Sequence, residues 1–105
     1  MIQASFSTDG SRITAFTVAG HSGLAPSGED ILCAAVTSAV RLTECAVNDV
    51  LGLQAGVKVN DQDASITLNL EGEADQVSQT LLAALMVYLV QLQEEYPEHI
   101  NVMEV

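Results

Sequence analysis

Aromatic side chains are scarce in this chain: two Tyr, two Phe and no Trp among 105 residues. The core must therefore come from Ala, Val, Leu and Ile. The 49% hydrophobic content supplies them and excludes a disordered chain. Basic residues are scarcer still. Three Lys or Arg stand against 14 Asp or Glu, a formal net charge of −11. Such a surface repels phosphate and disfavours direct nucleic-acid binding. It either speeds encounter with basic partners or simply keeps the chain soluble.

Other absences narrow the field further. No basic segment leads into an apolar stretch at the N-terminus, so no signal peptide is expected. The longest apolar run, Leu81 to Val90, is about half of what a bilayer span needs, so no membrane association is expected. Cysteines number two, Cys33 and Cys45, both in one predicted helix. A twelve-residue helical separation is roughly 18 Å, well beyond the ~7 Å that a disulfide tolerates. Free thiols without an export signal point to a cytoplasmic protein. Two Cys and two His without paired ligand spacing give no zinc signature, and no glycine-rich phosphate loop is present. Neither a metal nor a cofactor is expected.

A chain of this length is one domain, residues 1–105. A domain this small buries only about two-thirds of its unfolded surface. Its high apolar content therefore suggests a homodimer, in which a second copy covers part of the apolar surface. Ile2 to Ser7, a turn at Asp9-Gly10 and Arg12 to Ala19 read as a β-hairpin, with Ile13, Ala15 and Thr17 on one face and Thr14, Phe16 and Val18 on the other. A loop follows, Gly20 to Gly28, with three glycines and a proline, the most irregular part of the chain. Apolar residues from Leu32 to Leu51 recur at helical spacing, and Gly52 marks a stop. Val57 to Val59 and Ala64 to Leu70 form a second hairpin. A second helix carries Val77, Leu81, Leu85, Leu89 and Leu92 in register and ends at Pro97. Ile100, Val102 and Val105 alternate in a last strand. The order β-β-α-β-β-α-β predicts an α+β fold in two layers, two helices packed on a mostly antiparallel sheet.

One group of residues carries chemistry. Cys33 sits within a turn of the first helix start, where Ser27 and Asp30 fit a capping box. Unpaired backbone N–H groups and partial positive charge at a helix mouth favour a thiolate and offer donors to an oxyanion. Glu29 and Asp30 oppose a further anion, so a base is needed. His21, between Gly20 and Gly23, is the histidine placed to serve, and its loop is a candidate lid. From the residues alone two assignments stay open: a Cys33–His21 dyad, or a small core cysteine beside an ordinary loop histidine. Asp30 either orients His21 or caps the helix. Cys45 reads as a core residue and His99 as a solvated one.

The segment Gly20-His21-Ser22-Gly23 followed by Gly28-Glu29-Asp30-Ile31-Leu32-Cys33-Ala34-Ala35-Val36-Thr37 resembles the ribosomal-processing cysteine protease family, Prp. That family's pattern is Gly-His, a short loop, then Gly-x-Asp-Ile-x-Cys-Ala-Ala-Val-Ser. The resemblance implies that Cys33 is a nucleophile with His21 as its base, and it singles out Asp30 and the loop glycines Gly20, Gly23 and Gly28. Thr37 departs from the family's serine while keeping a hydroxyl. The resemblance also implies a homodimeric endopeptidase with a mobile loop over its site. Its substrate would be a short N-terminal extension of a large-subunit ribosomal protein, removed during bacterial ribosome assembly. A basic substrate of that kind agrees with the acidic composition. The rival readings are a non-catalytic dimeric assembly module that binds a basic tail, and a redox-sensing thiol at Cys33.

Overall fold

The computed structural model describes residues 1–25, 30–70, 72 and 75–105. The elements follow the expected order: β1 (Ile2–Asp9), β2 (Arg12–Ala19), α1 (Ile31–Glu44), β3 (Gly56–Asn60), β4 (Ser65–Asn69), α2 (Gln76–Glu95) and β5 (Ile100–Glu104). Five strands form one sheet in the order β3-β4-β2-β1-β5. All pairings are antiparallel except β1 with β5, which is parallel, so the sheet is mixed. Both helices are crossovers: α1 links β2 to β3 and α2 links β4 to β5, and each pair of linked strands runs in the same direction. One sheet face buries Ile2, Ala4, Phe6, Phe16, Val18 and Leu68 against Leu32, Val36 and Val40 of α1 and Leu82, Leu85 and Leu89 of α2. The other face carries small polar residues, and Thr17 and Thr67 hydrogen-bond across it at 2.9 Å. Phe6 and Phe16, half of the aromatic complement, pack with centroids 5.8 Å apart in the centre of the core.

Strict alternation in the first hairpin fails at one residue. Ser7 pairs with Ala15 but Thr8 pairs with Ile13, so Thr14 is an extra residue in β2. That bulge turns Ile13 to the same buried side as Phe16, where alternation had placed them on opposite faces. Gln79 of α2 then satisfies the interrupted ladder. Its side-chain amide donates to the Ile13 carbonyl at 2.7 Å and its carbonyl accepts from the Ile13 N–H at 2.6 Å.

The first helical segment runs on beyond α1 as a wider π-helical stretch, Cys45–Val50. Widening rotates every later residue relative to an ideal helix. Val47 is buried and Cys45 exposed, because helical spacing puts Val47 in line with Val40 and Cys45 opposite Val36, so the expected core role of Cys45 is corrected. Gly52 follows in the left-handed region, φ 72°. The combined segment Ile31–Val50 is long and apolar enough to cross a membrane by length and composition. Its stripe of Leu32, Val36, Val40 and Val47 is packed against the sheet. Two further expectations are corrected. In α2 the buried stripe is Ser78, Leu82, Leu85, Leu89 and Leu92, while Val77 is 52% exposed. Asp75 caps this helix by accepting the Ser78 N–H. The departure is confined to its first turns, where Ser78 and Leu82 are buried in place of Val77 and Leu81, while Leu85, Leu89 and Leu92 face the core as expected. In β5 Ile100 is buried but Val105 lies outside the core.

Replacing Gln79 with Ala strands the Ile13 N–H and carbonyl at a buried position. The expected loss is about 2 kcal/mol of unfolding free energy. Urea titration measures it, and an unchanged midpoint would show that the bulge holds itself.

Candidate active site

The site lies where β2 ends and α1 begins. Gly20 terminates β2 with φ 92°. A Cβ there would meet the Met1 carbonyl oxygen at 2.6 Å, so both conformation and space demand glycine. Its N–H donates to the Ala64 carbonyl at 3.3 Å, tying this loop to the β3–β4 turn. His21 follows with its side chain exposed. Gly23, at φ 73°, bends the chain onward, with open space where a Cβ would stand. Ser27 and Gly28 lie outside the described residues, as does the last third of the expected lid, residues 26–28.

Helix α1 starts at Ile31, later than a Ser27 cap would set it, with Asp30 as the N-cap. One carboxylate oxygen of Asp30 accepts the Cys33 N–H at 3.0 Å. The other accepts the Ser22 hydroxyl in a short hydrogen bond. Asp30 therefore caps the helix and bonds the residue after His21; among the described residues no bond joins it to the imidazole. The Ser22 hydroxyl, first, and then the Cys33 amide hold the Asp30 carboxyl at about 2, below its ordinary 3.8, against an opposing pull from desolvation.

Cys33 occupies the third helical position, half-buried. The Ser22 N–H donates to its sulfur at 3.3 Å. The Cys33 amide, bonded to Asp30, and the Ala34 amide, bonded to the Asp30 carbonyl at 3.1 Å, are both taken. The expectation that helix-start amides receive an oxyanion is thereby narrowed to Ile31 and Leu32.

Cys33 and His21 line the same two adjoining clefts. The larger holds about 580 Å³ and is walled on its far side by Val59, Asn60, Asp61, Ala64 and Ser65. Thr37 and Arg41, one and two turns beyond Cys33 on α1, line both clefts. The Thr37 hydroxyl makes no hydrogen bond among the described residues. No hydrogen bond joins His21 to the Cys33 sulfur among them either. Three or more His, Cys, Asp or Glu side chains placed to hold a metal ion do not occur among the described residues.

Two residues at this site were not anticipated. Ser22 is 2% exposed and is the hub that joins loop to helix. His99, expected in solvent, is half-buried with Nδ1 2.8 Å from the Ser22 carbonyl oxygen. A serine beside a candidate base is a sequence signal for the first. No sequence signal could have found the second, which lies 77 residues from its partner.

The family model for cysteine protease Prp matches residues 1–101. The chain is similar to the ribosomal processing cysteine protease Prp of Bacillus subtilis strain 168, with 27% identity over 107 residues, covering 97% of this chain and 96% of the relative. Its fold matches an essential ribosomal processing protease Prp from S. aureus, solved with a covalently linked product peptide, at a TM-score of 0.92 with 21% identity and all of both chains covered. The same S. aureus protease solved with a substrate peptide matches at 0.87 with 20% identity, again over all of both chains.

A depressed Asp30 carboxyl fixes the sign of its pH effect. Ionised Asp30 favours the folded state above about pH 4, and that contribution drains away as pH falls from there to about 2. Asp30→Asn should melt below the wild type at pH 7, and the gap should shrink across that acid window. Thermal melts from pH 7 to 2 measure it; a gap independent of pH would contradict the assignment.

Proposed function

This chain belongs to the cysteine protease Prp family, and we propose that Cys33 is its nucleophile and His21 its general base. The Cys33 sulfur adds to the scissile carbonyl carbon, whose electron pair moves onto oxygen as His21 takes the thiol proton. His21 returns that proton to the departing amine as the tetrahedral adduct collapses to a thioester. Water, deprotonated by His21, then releases the acyl group and restores the thiol. The observation that carries this reading is that both side chains line the same clefts, with the sulfur at a helix start. Asp30 positions Cys33 through its amide, and Thr37 presents a hydroxyl to the same clefts.

The substrate we propose is the basic N-terminal extension of a large-subunit ribosomal protein, cut as an endopeptidase acting in the cytoplasm during bacterial ribosome assembly. Support comes from the ribosomal processing described for the B. subtilis relative. It also comes from the net charge of −11 and from Glu44 and Asp61 in the cleft wall. Both helices keep apolar side chains exposed on the layer away from the sheet, Leu42 at 70% and Tyr88 at 41% among them, which supports a homodimer. Light scattering should accordingly return twice the mass of one chain, and a monomer at micromolar concentration would contradict it.

Incubation with the extended ribosomal protein, read by intact-protein mass spectrometry, tests the chemistry. Cys33→Ala should still bind but leave the extension uncut, and His21→Ala should slow cutting about 10²- to 10⁴-fold. Cutting that persists in Cys33→Ala would refute the assignment.

A further inference from the structure

Every polar group of Ser22 is engaged. Its N–H donates to the Cys33 sulfur at 3.3 Å, its hydroxyl donates to Asp30 while accepting the Leu24 N–H at 3.1 Å, and its carbonyl faces His99 Nδ1 at 2.8 Å. A carbonyl can only accept, so His99 carries its proton on Nδ1 whether the ring is neutral or charged. The backbone of His99 is itself held on two sides. Its N–H donates to the Tyr96 carbonyl at 2.9 Å, at the end of α2, and its carbonyl accepts the Ile2 N–H at 2.9 Å, at the start of β1. His99 is thus a post fixed to the scaffold, and the loop that carries His21 is fastened to it. The imidazole of His99 lines neither cleft that holds Cys33 and His21. It does not touch the space where a substrate would sit, and whatever it does there passes through Ser22.

We propose that His99 is a positioning residue for the thiol: by holding the Ser22 carbonyl, in the peptide unit that follows Ser22, it fixes the backbone of that residue and so keeps the N–H of the preceding peptide unit aimed at the Cys33 sulfur. The inference rests on Cys33 being the reactive thiol. A thiolate gains from each N–H directed at it, and a Ser22 held beside the sulfur only by its hydroxyl bond to Asp30 would keep its side chain in place while its backbone N–H swung away. Gly20 and Gly23, both at positive φ, flank the segment and leave it little stiffness of its own. The fastening at Ser22 supplies what the glycines do not. The same fastening sets the path of His21, the neighbouring residue.

The test follows the alkylation rate of Cys33 by iodoacetamide at pH 7 in a Cys45→Ser background, which needs no peptide substrate. His99→Leu fills the same space without a donor, and His99→Asn places an amide N–H near the position of Nδ1. Cys33 in His99→Leu should react about three- to tenfold more slowly, the effect of one lost hydrogen bond, and His99→Asn should recover most of that loss. The Ser22 amide proton should shift upfield in the ¹H–¹⁵N spectrum of His99→Leu and return in His99→Asn. His99→Ala is the second donor-free variant if His99→Leu loses its melting transition. Equal rates in wild type and the donor-free variant, with Cys33 reactive in both, would overturn the proposal alone. An inert Cys33 in the wild type would overturn this proposal and the dyad together.

Discussion

The site depends on one carboxylate. Asp30 accepts the Cys33 amide with one oxygen and the Ser22 hydroxyl with the other, so helix start and histidine loop are joined at a single side chain. Remove that bridge and the loop keeps only its tie from Gly20 to Ala64 and the contact of the Ser22 carbonyl with His99. The arrangement has an electrostatic cost under the proposed chemistry, since an ionised Asp30 stands near the sulfur that would react as an anion. The charge is blunted because both oxygens accept hydrogen bonds, while the Ser22 N–H is aimed at the sulfur itself. Carboxylate and thiol thus share a neighbour, Ser22, whose dipoles serve both.

The scaffold brings these parts together by where its chain crosses over. β2 ends and α1 begins at the same edge of the molecule as the β3–β4 turn, and the start of β1 abuts the residue that precedes β5. Residues distant in sequence therefore meet at one place: Gly20 with Met1 and Ala64, Ser22 with His99. One wall of the cleft that holds Cys33 comes from the β3–β4 hairpin and includes Asp61, and Glu44 and Arg41 of α1 line it as well. Acidic character here agrees with a basic peptide more readily than with nucleic acid.

Element order was legible in the sequence because each periodic segment had a single period and a clear stop, as at Gly52. What alternation and helical spacing could not carry were local departures from ideal geometry. The extra residue at Thr14 leaves no mark in composition, since threonine suits a regular strand equally well. The π-helical widening after Glu44 is equally silent. Cys45 was misplaced for a simpler reason: nine residues past Val36, it falls on the side of the helix opposite the buried stripe. At the site, Cys33 and His21 stood out through residue type and glycine context. The parts that hold them did not: Asp30 offered two roles, and the geometry of its oxygens distinguished them. Ser22 and His99 meet through a backbone carbonyl and a ring nitrogen 77 residues apart, a contact that no local pattern marks.

The two thiols provide the most direct measurement. Cys45 is exposed and Cys33 is half-buried, so accessibility alone would have an alkylating reagent modify Cys45 first. Limited iodoacetamide treatment of the native protein at pH 7, with the sites mapped by peptide mass spectrometry, sets access against activation. Preferential labelling of Cys33, lost when His21 is replaced by Ala, is the expected result. Labelling of Cys45 ahead of Cys33, unaltered by that replacement, would contradict a sulfur activated by its imidazole neighbour.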